Sequence, residues 1–196
     1  PEKSVVPRIG LCRTSVWDQA EPAAQVVFEQ AASILASRGN RIREVELPAG
    51  FDGLFGAQTE IMAFELNHAL NYEYANHFGQ LSQSLQEMFA VGRAVTPEQY
   101  DKQVRLAWQC RLQLDAVFDD LDVLLTLSAP GEAPEGLGAT GNPQFNRIWT
   151  LLGSPCIHLP FGSGPRGLPL GVQVVGKCGD DRRLLAAAES IFRVLA

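Results

Sequence analysis

The sequence has 196 residues, 46% hydrophobic and 19% charged, a soluble-globular balance with enough chain for one domain, residues 1–196, around a sizeable core. A formal net charge of −6, with Lys3, Lys102 and Lys177 as the only lysines, excludes a nucleic-acid surface, which needs clustered cations against phosphate. No apolar stretch approaches the ~20 residues that cross a bilayer, so no membrane partner is expected.

In chain order, Arg8 to Arg13 predicts a short strand with Ile9 and Leu11 on one face. Glu21 and Pro22 open a helix whose apolar positions Val26, Val27, Ala31, Ile34 and Leu35 run to Gly39. Arg41 to Leu47 returns to a strand, and its charges suit a sheet edge. Strand, helix and strand in this length predict a parallel βαβ unit, and no Gly-x-Gly-x-x-Gly is present to make it a dinucleotide site.

From Thr59 to about Leu121 the pattern is helical, with a first stripe of Met62, Leu66, Ala69 and Leu70. A second helix covers about Leu81 to Ala90. Thr96, Pro97 and Gln99 start a third with an N-cap, a first-position proline and a capping-box partner. Tyr100, Val104, Ala107, Leu114 and Phe118 form its expected buried face. Asp122 to Leu127 is a nearly continuous apolar run, typical of a strand buried on both faces. A long Gly/Pro-rich loop follows its carboxyl end, where ligands of α/β sheets gather.

The densest punctuation lies between Asn142 and Gly176. Asn142 as N-cap and Pro143 at the first position predict a short helix that ends at Gly153, before Pro155. Two strands joined by a Ser163–Gly167 turn come next, and Asp180 to Ala196 closes the chain as a helix with Leu184, Leu185, Ala188, Ile191 and Leu195 inward. The resulting fold class is α/β, a mixed β-sheet core flanked by helices.

Candidate chemistry is sparse. Glu65 and His68 sit one helical turn apart, half of a bundle metal motif, and read as surface polar residues, with no metal site expected. Cys156 and His158 share a strand face; a Cys/His pair can form a nucleophile, yet an apolar strand blunts the thiol, so packing is expected. Slow labelling of Cys156 by iodoacetamide would remove the thiol-hydrolase reading. Cys12, Cys110, Cys156 and Cys178 are widely spaced beside apolar residues and read as reduced, buried thiols of a cytoplasmic protein. No Gly-x-Ser-x-Gly elbow occurs. Ser128, at the mouth of the buried strand, is placed to touch a ligand but has no Lys or His near it in sequence.

The segments Tyr100–Pro134 and Phe145–Ala188 resemble the carboxyl-terminal half of the amidase signature family. The resemblance rests on Gly92-Arg93-Ala94 with Tyr100, and on Asp122-Val123-Leu124-Leu125-Thr126 with Ala129-Pro130 and Ala133-Pro134. It continues in Phe145-Asn146, Gly153, Pro155 and Pro160, in the string Gly167-Leu168-Pro169-Leu170-Gly171-Val172-Gln173 with Val175-Gly176, and in Asp181 and Leu184-Leu185. Two features depart from the family: Leu127 stands where a proline is usual, and the segment between Pro134 and Asn142 is short and glycine-rich.

The resemblance implies a partial amidase signature fold and an enzyme acting on amide C–N bonds through a serine, a second serine in a cis peptide and a lysine. No Gly-Gly or Ser-Ser dipeptide occurs, and none of the three lysines lies in such a context. No catalytic residue is therefore expected within these 196 residues, no cofactor is implied, and the chain alone is expected to be inactive. The sequence opens at Pro1, with Met62 and Met88 its only methionines, as expected of a piece of a longer protein or of a trimmed start. The expected role is to wall the pocket for a small-molecule amide, with Ser128, Gln144, Phe145, Asn146 and Trp149 on the substrate side. The alternative is a non-catalytic binding or scaffold domain that keeps the fold. Exposed sheet edges would allow a homo-oligomer.

Overall fold

The computed structural model describes residues 6–196. Strand β1 (Arg8–Leu11) leads into helix α1 (Pro22–Ser37) and strand β2 (Arg41–Glu44). Four helices follow: α2 (Leu54–Ala69), α3 (Asn71–His77), α4 (Gln83–Ala94) and α5 (Pro97–Val117). Strand β3 (Val123–Thr126), helix α6 (Gln144–Leu152), strands β4 (Cys156–Ser163) and β5 (Pro169–Val175) and helix α7 (Asp181–Leu195) complete the order. Two compact units result, one from the chain up to Ala49 together with Leu112 onward, the other from Gly50–Arg111.

The first unit is an α/β unit, its mixed sheet ordered β2-β1-β3-β5-β4. β1 runs parallel to both β2 and β3, as the βαβ pattern requires, while β5 runs antiparallel to β3 and β4. The charged strand β2 is an edge, as expected, and all four residues of β3 are buried at the centre. Helices α1 and α7 pack on each other and on the β4–β5 hairpin. β1 and β3 start as a pair: Arg8 N–H donates to Asp122 Oδ2 at 2.6 Å, and Asp122 N–H returns a bond to Arg8 O at 2.9 Å.

The apolar faces differ from the sequence pattern in detail. In α1, Val26 is exposed and Phe28 takes a core place, with Trp17 edge-on at 5.0 Å between ring centroids. In α7, Leu185 is exposed and Ala187 is buried in its stead. Each helix turns toward the neighbour it meets, so the stripe shifts by about one position within a wide apolar arc.

The second unit is helical. Gly92 of α4 sits against α2 so closely that a Cβ there would lie 2.0 Å from Ala63 O. α2 buries Leu54, Ala57, Ile61 and Ala63, and leaves the expected Met62 and Ala69 exposed. Asn67 bridges the crossing, with Nδ2 donating to Ala63 O at 2.8 Å and Phe89 O at 3.2 Å. The capping box of α5 is reciprocal: Thr96 N–H donates to Gln99 Oε1 and Gln99 N–H to Thr96 Oγ1. Within this unit α5 buries Cys110 and leaves Val104 and Trp108 exposed; beyond Arg111, in the first unit, Leu114 and Phe118 are buried and Leu112 is exposed.

Among the described residues no helix is long and apolar enough to cross a membrane.

Candidate substrate cleft

The loop after β3 and the β4–β5 hairpin enclose a cleft of roughly 520 Å³ within the first unit, lined by Ser128, Asn146, His158 and Gly171 among others. Three anchors hold the loop. Asn146 Nδ2 donates to Ser128 O at 2.8 Å, and Glu21 N–H, at the start of α1, donates to Pro130 O at 2.7 Å. The third is Glu132, whose side chain is only 1% exposed. It accepts from Arg166 N–H at 3.0 Å, Arg166 Nε at 2.8 Å and Leu168 N–H at 2.9 Å, while Arg166 Nη2 reaches Ala133 O. Burial alone would raise the Glu132 pKa; the hydrogen bonds from Arg166 and Leu168 together outweigh it and hold the carboxyl below its usual range. Gly164 is required in the hairpin turn because a Cβ would sit 2.4 Å from the Glu132 carboxyl carbon.

The polar centre of the cleft joins residues thirty apart. Ser128 Oγ and His158 Nδ1 lie 2.8 Å from each other. The register explains how. Thr126 on β3 and His158 on β4 both face Gln173 of β5. Ser128 lies two residues beyond Thr126, past the end of the β3–β5 pairing, so His158 must reach across β5 to meet it. Gly171 permits this: a Cβ there would stand 2.7 Å from His158 Nε2 and 2.2 Å from Leu159 O. Partial burial lowers the His158 pKa, although the residue keeps an exposed side, and so favours the neutral imidazole.

The residues expected on the substrate side divide. Ser128 and Asn146 line the cleft. Phe145 and Trp149 are 2% and 1% exposed, and anchor α6 as part of the core. Gln144 is half-buried at the start of α6, where its N–H donates to Asn142 Oδ1 at 3.0 Å and its Oε1 accepts from Asn142 Nδ2. The helix thus begins at Gln144, one residue later than expected: Pro143 takes the N-cap position expected of Asn142, which lies one residue before it, and Gly153 ends the helix at φ 69°.

The contact between Ser128 and His158 is what sequence reading missed: His158 was weighed only beside Cys156, and Ser128 was read as having no His near it. The available signal was a glycine in the middle of the apolar run Leu170–Val175, which marks a close approach within a strand.

The remaining candidates have other roles. Cys156 is exposed and free, contrary to the expectation of four buried thiols, yet partial burial of its sulfur pushes the pKa up to about 11. Cys12, fully buried, is pushed up to about 12. Neither is a thiolate nucleophile at neutral pH. Glu65 accepts a hydrogen bond from Tyr100 Oη at 2.9 Å, and His68 Nδ1 lies 2.9 Å from Phe64 O within its own helix. Among the described residues no group of three His, Cys, Asp or Glu converges on a metal position.

Comparison with known proteins agrees with this architecture. The Amidase family profile matches residues 2–185. The chain is 25% identical over 197 residues to 2-amino-5-chloromuconic acid deaminase of Comamonas testosteroni, covering 94% of this chain and 42% of that protein. It is 36% identical over 90 residues to one component of the glutamyl-tRNA(Gln) amidotransferase of Wolinella succinogenes, covering 42% of this chain and 20% of that component. The crystal structure of an amidase superposes with a TM-score of 0.89 at 25% identity, over 100% of this chain and 48% of its own. The chain therefore spans less than half the length of these relatives.

Proposed function

This chain belongs to the amidase family, and from that premise we propose that it is the carboxyl-terminal, cleft-forming portion of an amidase that hydrolyses carboxylic amide C–N bonds. The observation that carries the reading is the polar cleft at the carboxyl end of β3, lined by Ser128, Asn146 and His158. The coverage of 42% and 48% of two relatives supports a larger whole. The lack of a Gly/Ser-rich segment in these 196 residues supports a nucleophile supplied from outside them.

In this reading the reacting serine, its cis-peptide serine partner and the lysine lie outside residues 1–196, and the chain contributes position and selection. Holding the amide near the nucleophile lowers the entropic part of the barrier. The cleft wall then discriminates by shape and by paired polar groups. Ser128 and Asn146 touch the substrate, while Gln144, Phe145 and Trp149 act indirectly by fixing α6. The substrate is a small-molecule amide, no cofactor takes part, and the enzyme works in the cytoplasm. The edge strands β2 and β4 offer pairing sites to the remainder of the enzyme or to a second copy.

The test is ammonia release from a panel of simple amides by the gene product in which this chain is embedded, beside residues 1–196 alone. Activity in the longer protein and none in the chain is expected. Hydrolysis by the chain alone would overturn the proposal. An inactive longer protein that still binds amides would favour a scaffold role.

A further inference from the structure

We infer that Leu137 is a specificity-determining residue, the tip of a lid that folds over the cleft and selects amides whose acyl group is apolar. The inference rests on the amidase reading and deepens it by naming the part of the substrate, away from the amide itself, that this chain recognises.

The base of the loop is held and its tip is free. At one foot Glu132, its side chain 1% exposed, is fixed to the hairpin by Arg166 and Leu168, and Arg166 Nη2 donates to Ala133 O. At the other foot Asn142 meets Gln144 at the start of α6. The feet close on each other, since a Cβ on Gly141 would lie 3.7 Å from Pro134 Cδ. Pro134, Thr140 and Gly141 all line the cleft, so residues 134–141 form a short Ω-loop standing on its rim. Every residue from 133 to 143 is exposed, and among the described residues no hydrogen bond holds 135–140. A Cβ added at Gly136 or Gly138, on either side of Leu137, would meet nothing within 4 Å. A segment with so few contacts changes conformation at little cost.

Leu137 is fully exposed at this tip. It stands three residues from Pro134, a reach of about 10 Å, enough to cross the mouth of the cleft. The opposite lip is apolar too: Pro169 and Leu170 line the cleft, and Leu168 beside them is 38% exposed. Closure over an apolar group takes Leu137 and that lip out of water together, whereas an empty or polar-filled cleft gives the leucine less to cover. A closed lid also disfavours an anionic substrate. Glu135 is the only charge between Ala133 and Pro143, and no Lys or Arg lines the cleft.

Two measurements on the longer protein test the lid, with acetamide, hexanamide and adipamate (the hexanamide chain ending in a carboxylate) as probes. The first reads closure directly. Leu137→Cys with Leu168→Cys, in a Cys156→Ser background, is oxidised by copper phenanthroline, and the 137–168 disulfide, which needs Cα atoms within about 7 Å, is followed by peptide mapping. Hexanamide should speed its formation at least about fivefold over either other probe. The second is kinetic. Leu137→Ser should raise KM for hexanamide by about fivefold to tenfold and KM for acetamide by less than about twofold, with Leu137→Met restoring the parent value. A leucine with no role in binding predicts no such split. No cross-link above the rate without amide, equal rates with all three probes, or equal KM shifts for both amides would overturn the inference. If the longer protein hydrolyses nothing, the amidase reading fails, and the cross-linking rates still decide the lid.

Discussion

Gly171→Ala is the sharpest single perturbation of the cleft. The new Cβ would lie 2.2 Å from Leu159 O and 2.7 Å from His158 Nε2. The first contact is with backbone of the paired strand, which cannot swing aside as a side chain can. β4 and β5 must separate by about 1 Å, and overpacking of this kind costs roughly 1–3 kcal/mol, here at the upper end because the obstacle is main chain. The displaced imidazole also gives up its bond to Ser128, worth about 1 kcal/mol. Together, a loss near 4 kcal/mol corresponds to a fall in Tm of about 8–16 °C for a protein of this size. Thermal unfolding followed by circular dichroism measures the first effect, and the ¹⁵N shifts of His158 report the second. A variant melting within about 2 °C of the parent, with the His158 resonances unmoved, would refute both the register drawn across β5 and the role of Gly171 in it.

Other outcomes follow from the same packing and electrostatics. Trp149 is 1% exposed and its Nε1 is buried without a hydrogen-bond partner. Trp149→Ala should cost about 3–5 kcal/mol in urea unfolding, whereas Trp149→Phe should stay within about 1 kcal/mol, since it also removes an unsatisfied donor; equal costs would mean that the indole nitrogen is paired. Burial tends to raise the Asp122 pKa, but bonds from Arg8 and Arg183 prevail and hold it below the ordinary 3.8. A depressed carboxylate pKa stabilises the fold above the unfolded value, and that contribution fades as pH falls from 3.8 through the folded value. Urea midpoints between pH 7 and about pH 3 should drop less steeply in Asp122→Asn than in the parent. Burial likewise lowers the His158 pKa from 6.5, so its contribution is present above 6.5 and declines as pH falls through the lower folded value; a stability profile unchanged in His158→Gln over that window would contradict this. With its thiol at about 11, Cys156 should react with iodoacetamide at pH 7.5 far more slowly than a small-molecule thiol, despite its exposure.

Local rules made some elements plain from the residues alone. The run Val123–Thr126 could only be a central strand, because four consecutive apolar or β-branched residues need burial on both faces. Thr96 with Gln99 fixed the start of α5, and Gly153 the end of α6, because caps are satisfied within a few residues of themselves. The exposure of Met62 and the burial of Phe28 were not legible. A stripe on a helix is wide, and which part of it is covered depends on the neighbour.

By itself, then, the sequence determined the order and type of elements apart from the short helix α3, together with the edge placement of β2 and the family string Gly167–Gly176, since each is set by near neighbours in the chain. Only the tertiary structure decided the cleft. Ser128, in the loop just past β3, and His158, on β4, lie thirty positions apart, and meet across β5 where Gly171 has no side chain. That contact depends on strand order and register, two quantities that sequence periodicity leaves undetermined, since alternation gives the face of each residue and not the partner opposite it.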